Sequence, residues 1–69
     1  MSGHVYSKSE IVGTSETSVS DAIGSAIERA SKTLRHLEWF EVGEIRGHVK
    51  DGKVSQYQVV LKVGFQLEE

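Results

Sequence analysis

The sequence predicts a small α+β domain with the element order β-α-β-β, and three observations support this prediction. Residues 19–37 repeat apolar side chains every three to four positions, which is typical of an amphipathic helix. The dipeptide Asp51-Gly52 favours a tight β-hairpin. Alternating apolar and polar side chains, typical of strands, cover residues 4–13, 39–50 and 53–67. We expect one domain over residues 1–69, in which a three-stranded antiparallel sheet wraps around one helix.

The first strand and the helix are separated by Gly13-Thr14-Ser15, which breaks the alternation. Ser18 is the expected N-cap of the helix, because serine side chains accept hydrogen bonds from amides of the first turn. Asp21 follows three residues later, where a capping box has an acidic side chain. The apolar stripe of the helix is rich in small side chains, so we expect the sheet to approach it closely. These side chains are Ala22, Ala26 and Ala30.

In the second strand, the apolar residues change from one side of the sheet to the other. They occupy even positions up to Val42 and odd positions from Ile45 onward. A β-bulge near Gly43-Glu44 accounts for the change, because one extra residue reverses the alternation. With this bulge, the residues expected to face the helix are Phe40, Val42, Ile45, Gly47 and Val49. The opposite face, here called the outer face, is expected to carry Trp39, Glu41, Arg46 and His48.

The third strand alternates throughout and adds Gln58 to the outer face. This face has no second helix to cover it, yet it also holds the apolar residues Tyr6, Val12, Trp39 and Val60. Contiguous exposed apolar surface marks interaction sites. One helix on three strands also makes a thin core for a chain of this size. We therefore predict that the chain assembles with copies of itself.

Composition excludes several other classes of protein. The chain has 69 residues and no cysteine, so disulfides and thiolate zinc sites are excluded, and its three histidines lack metal-ligand spacing. The net charge is −2 without a basic cluster, so the footprint of a nucleic-acid-binding protein is missing. No apolar run has the length of a membrane span, and the first residues lack signal-peptide features. We expect a cytoplasmic protein that binds neither nucleic acid nor membrane.

The outer face supplies a candidate binding site with two central residues. Trp39 either offers an aromatic face on which a flat ligand stacks or packs in a subunit interface. Gln58 carries a donor and an acceptor, which suits the polar edge of a flat ring, but it is also compatible with an ordinary solvated glutamine.

Charged residues on this face are candidates for further contacts. Arg46 either holds a phosphate or pairs with a carboxylate of its own assembly. The carboxylates available are Glu10, Glu41 and Glu44. His48 is expected to form hydrogen bonds at the surface or at an interface. Because the sequence contains no nucleophile elbow, ordered triad or phosphate-binding loop, we predict no enzymatic activity.

The order and spacing of several short segments are specific to one family. The segments are Glu10-Ile-Val-Gly-Thr-Ser15, Trp39-Phe-Glu-Val42, Ile45-Arg-Gly-His-Val49, Tyr57-Gln-Val59 and Val63-Gly-Phe65. Together they resemble the dodecins, small flavin-binding proteins that assemble into hollow dodecamers. The resemblance covers nearly the whole chain.

The resemblance implies a homo-dodecamer that stores or sequesters FMN or riboflavin and quenches the photoexcited flavin without turnover. It implies paired flavins between tryptophans of two subunits, with the stacking tryptophan at Trp39 and the ring-binding glutamine at Gln58. Members of the family often have a basic residue where this chain has Gln66, which leaves the preference between FMN and riboflavin open. Coenzyme A is a further ligand of bacterial members. The alternative function is therefore a coenzyme A-binding or structural shell, for which the expected contacts are Tyr6, Arg29 and Lys32.

Overall fold

The computed structural model describes residues 3–68 and has the predicted element order. Its elements are strand β1 at Tyr6–Ser15, helix α1 at Val19–Ala30, strand β2 at Leu37–Lys50 and strand β3 at Lys53–Gln66. All strand pairs are antiparallel, and the sheet order is β1-β3-β2. The predicted fold class is confirmed, and the last strand in the sequence is the central strand of the sheet.

The β2–β3 hairpin turns at the predicted dipeptide. Asp51 and Gly52 have positive φ angles of 53° and 77°. A two-residue type I′ turn requires positive φ at both central positions, which is why Asp-Gly is favoured there. This turn sets the register between the two long strands.

The start of α1 is tied to the end of β1 through Ser15. Ser18 accepts a hydrogen bond from the Asp21 amide at 3.0 Å, so the predicted N-cap is confirmed. The Asp21 carboxylate accepts from the Ser15 hydroxyl at 2.7 Å, and Ser15 Oγ in turn accepts from the amides of Thr17 and Ser18. In a capping box, a glutamate at the position of Asp21 would accept a hydrogen bond from the Ser18 amide. Here the Ser15 hydroxyl accepts that hydrogen bond instead. The predicted break at residues 13–15 is wrong, because β1 continues through Ser15.

The helix is shorter than predicted, since α1 ends at Ala30 and not at residue 37. The Thr33 amide bonds to the Ala30 carbonyl three residues back, which is the tighter spacing of a 3₁₀ turn. His36 then has a φ of 64°, which turns the chain into β2. Leu34 and Leu37 lie beyond the helix but still pack against the core. Their spacing is the same as that of apolar residues in a helix, which explains why the predicted helix was too long.

The core lies between α1 and the β1–β3 part of the sheet. Its fully buried side chains are Ala22, Val59, Leu61 and Val63. Gly13 of β1 lies directly under the helix, where a Cβ atom would come closer than 3.0 Å to the Ala22 carbonyl oxygen and to Ala26 Cβ. This confirms the close approach predicted from the alanine-rich stripe.

The predicted bulge in β2 is confirmed by the strand register. Val42 pairs with Leu61 and Ile45 with Val59, so β2 has one residue more than β3 across this interval. Cross-strand partners share a face of the sheet. The outer face therefore holds the predicted residues, in the pairs Trp39–Gly64, Glu41–Lys62, Arg46–Gln58 and His48–Gln56.

Apolar residues of β2 lie on the helix side as predicted, but α1 packs on β1 and β3 and leaves them exposed. Phe40, Val42, Ile45 and Val49 are 48%, 42%, 55% and 73% exposed. We call these four residues the β2 apolar row. The single chain measures 57 × 20 × 13 Å, which reflects a hairpin far longer than the helix beneath it. Among residues 3–68, no helix has the length and hydropathy needed to cross a membrane.

The β2 apolar row and the exposed outer face predict that the chain exists in solution as an assembly. Sedimentation at neutral pH is expected to show one large closed species. Ile45→Lys should shift this species toward smaller ones, because it buries a charge in the apolar interface. Lys53→Glu, a charge change in the exposed hairpin end, is the matched control and should leave sedimentation unaltered. A stable folded monomer at micromolar concentration would contradict the prediction.

Candidate functional site

Trp39 lies flat on the outer face, with the benzene part of its indole over Gly64. A Cβ atom at Gly64 would be almost equally close to three adjacent indole atoms, Cε2, Cζ2 and Cη2. Equal closeness to three adjacent atoms means that the ring face, and not its edge, covers the glycine. Trp39 remains 39% exposed, and because one face lies on Gly64 this exposure belongs to the other face and the ring edges. The chain thus presents an aromatic platform with one accessible side.

Tyr6 of β1 stands beside this platform. The rings of Tyr6 and Trp39 have centroids 5.2 Å apart and planes inclined at 71°, which is a favourable edge-to-face arrangement. His4 continues the aromatic cluster at 6.4 Å from Tyr6, and its Nδ1 lies 2.8 Å from the Gln66 amide nitrogen. The platform is therefore held from below by β3 and from one side by β1.

Arg46 and Gln58 form a second polar site on the outer face. The Arg46 Nε donates to Gln58 Oε1 at 2.6 Å, and Arg46 Nη1 donates to Glu44 Oε1 at 3.0 Å. Of the predicted carboxylate partners, Glu44 is the one that pairs with Arg46. This pairing holds the Gln58 oxygen as an acceptor for the guanidinium and leaves the amide NH₂ group available as a donor to a ligand. His48 lies beyond them, opposite Gln56, and is exposed.

The two central candidates share a face but are far apart in one chain. Trp39 is paired with Gly64, whereas Gln58 is six positions away along β3. At about 3.3 Å per residue this separation is about 20 Å. Both side chains can contact one flat ligand only if they come from different chains.

Glu41 takes part in an ion pair that crosses the central strand. Lys8 Nζ lies 2.6 Å from Glu41 Oε1, and this hydrogen bond, with the charge of Lys8, lowers the pKa of the Glu41 carboxyl below its ordinary value. Lys62, the β3 partner of Glu41, adds to the lowering. The ion pair therefore links the edge strands β1 and β2 next to Trp39. The Glu41 carboxylate already has Lys8 as a partner in the protein without ligand.

The lowered pKa of Glu41 predicts a small pH-dependent contribution to stability. The contribution is fully present above the carboxyl's unfolded pKa and is lost as pH falls through the lowered folded pKa. Both side chains are about half exposed, at 46% and 50%, so solvent screening keeps the effect small. A double-mutant cycle with Lys8→Met and Glu41→Gln should give a coupling at neutral pH that disappears in acid. A coupling that grows in acid would contradict this assignment.

The residues expected to bind coenzyme A do not gather within one chain. Tyr6 lies on the outer face beside Trp39. Arg29 belongs to the last turn of α1, and Lys32 follows the helix, on the other side of the sheet. A site that uses all three residues therefore requires more than one chain.

Sequence reasoning missed the roles of Gly64, Lys8 and Tyr6 around Trp39. The pairing of residue 39 with residue 64 did not follow from the predicted bulge alone, because that bulge moves the partner by one residue and a second irregularity, between His48 and Val49, restores it. The ion pair of Lys8 depends on sheet order, because β1 and β2 become neighbours of the same strand only in the folded sheet. No group of three or more His, Cys, Asp or Glu residues within 3–68 is placed to hold a metal ion.

The fold and the site define a small α+β ligand-binding module that needs copies of itself to complete its surfaces. The family model described as Dodecin matches residues 5–68. A curated dodecin from Thermus thermophilus is 61% identical over 67 residues, which is 97% of each chain. The chain belongs to the dodecin family, whose members are small oligomeric ligand-binding proteins.

Solved structures agree with this assignment. A crystal structure of a Thermus thermophilus protein has a TM-score of 0.93 at 61% identity and covers 97% of this chain and 98% of its own. Dodecin from Streptomyces davaonensis has a TM-score of 0.93 at 51% identity, with coverage of 99% and 100%. A more distant neighbour, described as a calcium dodecin of Mycobacterium tuberculosis with a calcium-binding site, has a TM-score of 0.80 at 30% identity and covers 93% of this chain and 91% of its own.

Proposed function

We propose that this chain binds FMN or riboflavin as a non-enzymatic storage or sequestration protein and quenches the photoexcited flavin. The flavins stack in pairs between Trp39 residues of neighbouring subunits of a homo-dodecamer. The observation that carries the proposal is the one-sided indole platform on a sheet face that the chain leaves exposed. Membership of the dodecin family supports it independently.

The geometry of the platform favours a ligand held between two chains. One face of Trp39 rests on Gly64, so a single indole can stack on only one side of a flat ring. A ligand pair stacked between two such platforms buries both open faces. The separation of Gln58 from Trp39 fits the same arrangement, because a neighbouring chain can bring its Gln58 to the edge of the ring.

The chemistry of the platform supports the quenching part of the proposal. The platform is the Trp39 indole, and indole is the most electron-rich side chain that can stack on a flavin. The carboxylate of Glu41, which lies on the same face as Trp39, is engaged by Lys8. The proposed role is therefore retention of the flavin and protection from light.

Fluorescence titration of FMN and riboflavin with the assembled protein tests this function. We expect saturable loss of flavin emission, with no more than one flavin per chain because each Trp39 has one open face. Unchanged emission at micromolar protein would refute flavin binding. Adding coenzyme A in a parallel arm tests the alternative: displacement of flavin, or binding of coenzyme A alone, would favour the coenzyme A-binding shell.

Gln58 and Arg46 are predicted to recognise different parts of the ligand. Gln58→Ala should weaken FMN, riboflavin and lumichrome alike, since loss of one hydrogen bond in a desolvated site costs ~1–3 kcal/mol. Arg46→Ala should weaken FMN more than the other two, and the difference should shrink with added salt. Titrating both variants with all three ligands measures the two profiles. Equal losses for FMN and riboflavin in Arg46→Ala would identify Arg46 as a partner of Glu44 and Gln58 only.

A further inference from the structure

We propose that Gly64 is the positioning residue of the ligand platform, because the absence of a side chain at this position allows the Trp39 indole to lie flat on the sheet. The proposal rests on the proposed function for its ligand, but the orientation of the indole is testable without ligand. Gly64 is buried, so its proposed role in binding is indirect and acts through the position of the Trp39 indole.

The contact between Gly64 and Trp39 leaves no room for a Cβ atom at residue 64 unless the indole moves. A Cβ atom at Gly64 would come well within 3.0 Å of three indole atoms, a distance that real Cβ atoms do not adopt. The other glycines near sheet surfaces differ in this respect. A Cβ atom at Gly47 would meet backbone, and one at Gly43 would meet backbone and the edge of Val60. At Gly64, the space that a side chain would fill is taken by the aromatic ring of Trp39.

Backbone conformation does not explain the glycine. Gly64 has no positive φ, whereas Gly52 does, so an alanine at position 64 is compatible with the strand itself. Glycine in a strand interior normally weakens the strand and indicates close approach of another group. Here the group that approaches is the Trp39 ring, whose contact compensates for the missing side chain.

Tyr6 is a second contact of the indole. Its ring meets Trp39 in an edge-to-face arrangement, with centroids 5.2 Å apart and planes inclined at 71°. The Lys8–Glu41 ion pair runs alongside and joins the same strands. An added methyl group at residue 64 must therefore tilt the indole out of the plane in which a flat ligand stacks.

The test compares Gly64→Ala with Gly24→Ala, which makes the same chemical change on the exposed side of α1, where an added Cβ meets nothing within 4 Å. Trp39 is the only tryptophan, so the intrinsic fluorescence of the ligand-free protein reports its orientation. We expect Gly64→Ala to alter the indole emission and its near-ultraviolet circular dichroism, and to weaken FMN at least about tenfold, the range of one lost aromatic stack. Gly24→Ala should change neither.

Unaltered indole signals in a folded Gly64→Ala protein would overturn the proposal, whether or not flavin binds. Altered indole signals with unchanged FMN affinity would overturn the link between orientation and binding. If the wild-type protein binds no flavin, the proposed function fails while the indole signals still decide the role of Gly64. If Gly64→Ala does not fold, the Trp39→Ala/Gly64→Ala double variant should fold, because the clash is gone; failure of the double variant as well would overturn the proposal.

Discussion

Trp39→Ala is expected to lower flavin affinity at least about tenfold while the assembly persists. Stacking of a flat ring on an aromatic side chain is worth ~1–3 kcal/mol, and tenfold corresponds to about 1.4 kcal/mol. Each subunit interface that holds a ligand pair would lose both of its platforms at once. The strands and the helix remain, because Trp39 contributes nothing to the buried core of Ala22, Val59, Leu61 and Val63.

Fluorescence titration of the variant with FMN and riboflavin measures the loss, and sedimentation reports the assembly. Trp39→Phe is the graded variant, since a smaller ring at the same position should retain part of the affinity. Val12→Ala truncates another exposed apolar residue of the outer face and should have little effect. Equal affinity in Trp39→Ala and the wild-type protein would mean that the flavin binds elsewhere.

Gly13→Ala is expected to destabilise the chain strongly. Its Cβ would collide with the Ala22 carbonyl oxygen and with Ala26 Cβ, and a helix backbone atom cannot move alone. The helix must therefore shift away from β1, and overpacking of this kind typically costs about 1–3 kcal/mol or more. The expected result is a clear fall in the denaturation midpoint.

Gly24→Ala is the matched control for this prediction as well. It replaces an exposed helical glycine and should raise helix stability by up to about 1 kcal/mol. Both variants must be unfolded at one protein concentration, because the stability of an assembly depends on concentration. A Gly13→Ala protein as stable as Gly24→Ala would show that the helix and β1 are less closely packed than the structure indicates.

The features that follow from periodicity were predictable from the sequence. Alternation along a long strand shows which residues share a face of the sheet. The change in parity of the apolar residues between Val42 and Ile45 located the bulge to within a residue or two. The end of the helix was not predictable in the same way. Leu34 and Leu37 are partly buried by a turn and a strand, and burial produces the same apolar spacing as a helix does.

The candidate site was predicted in its residues more accurately than in its geometry. Alternation places Trp39 and Gln58 on one face, as observed, but it carries no information about distance along the sheet. The sequence pattern also could not predict that the helix leaves β2 uncovered. The alternation in β2 shows which side of the strand is apolar, but it does not show which element packs on that side. The β2 apolar row is exposed because a 12-residue helix cannot span two 14-residue strands together with β1.

The sheet order has a consequence for synthesis of the chain on the ribosome. β1 precedes its hydrogen-bonding partner β3 in the sequence, and α1 and β2 lie between them. β1 and α1 therefore have no sheet to join until residues 53–66 have been made. Loss of β1 would remove an edge strand, whereas a ribosome that stops before residue 53 leaves two strands that have no common neighbour. The three-stranded sheet can thus form only after its central strand has been made.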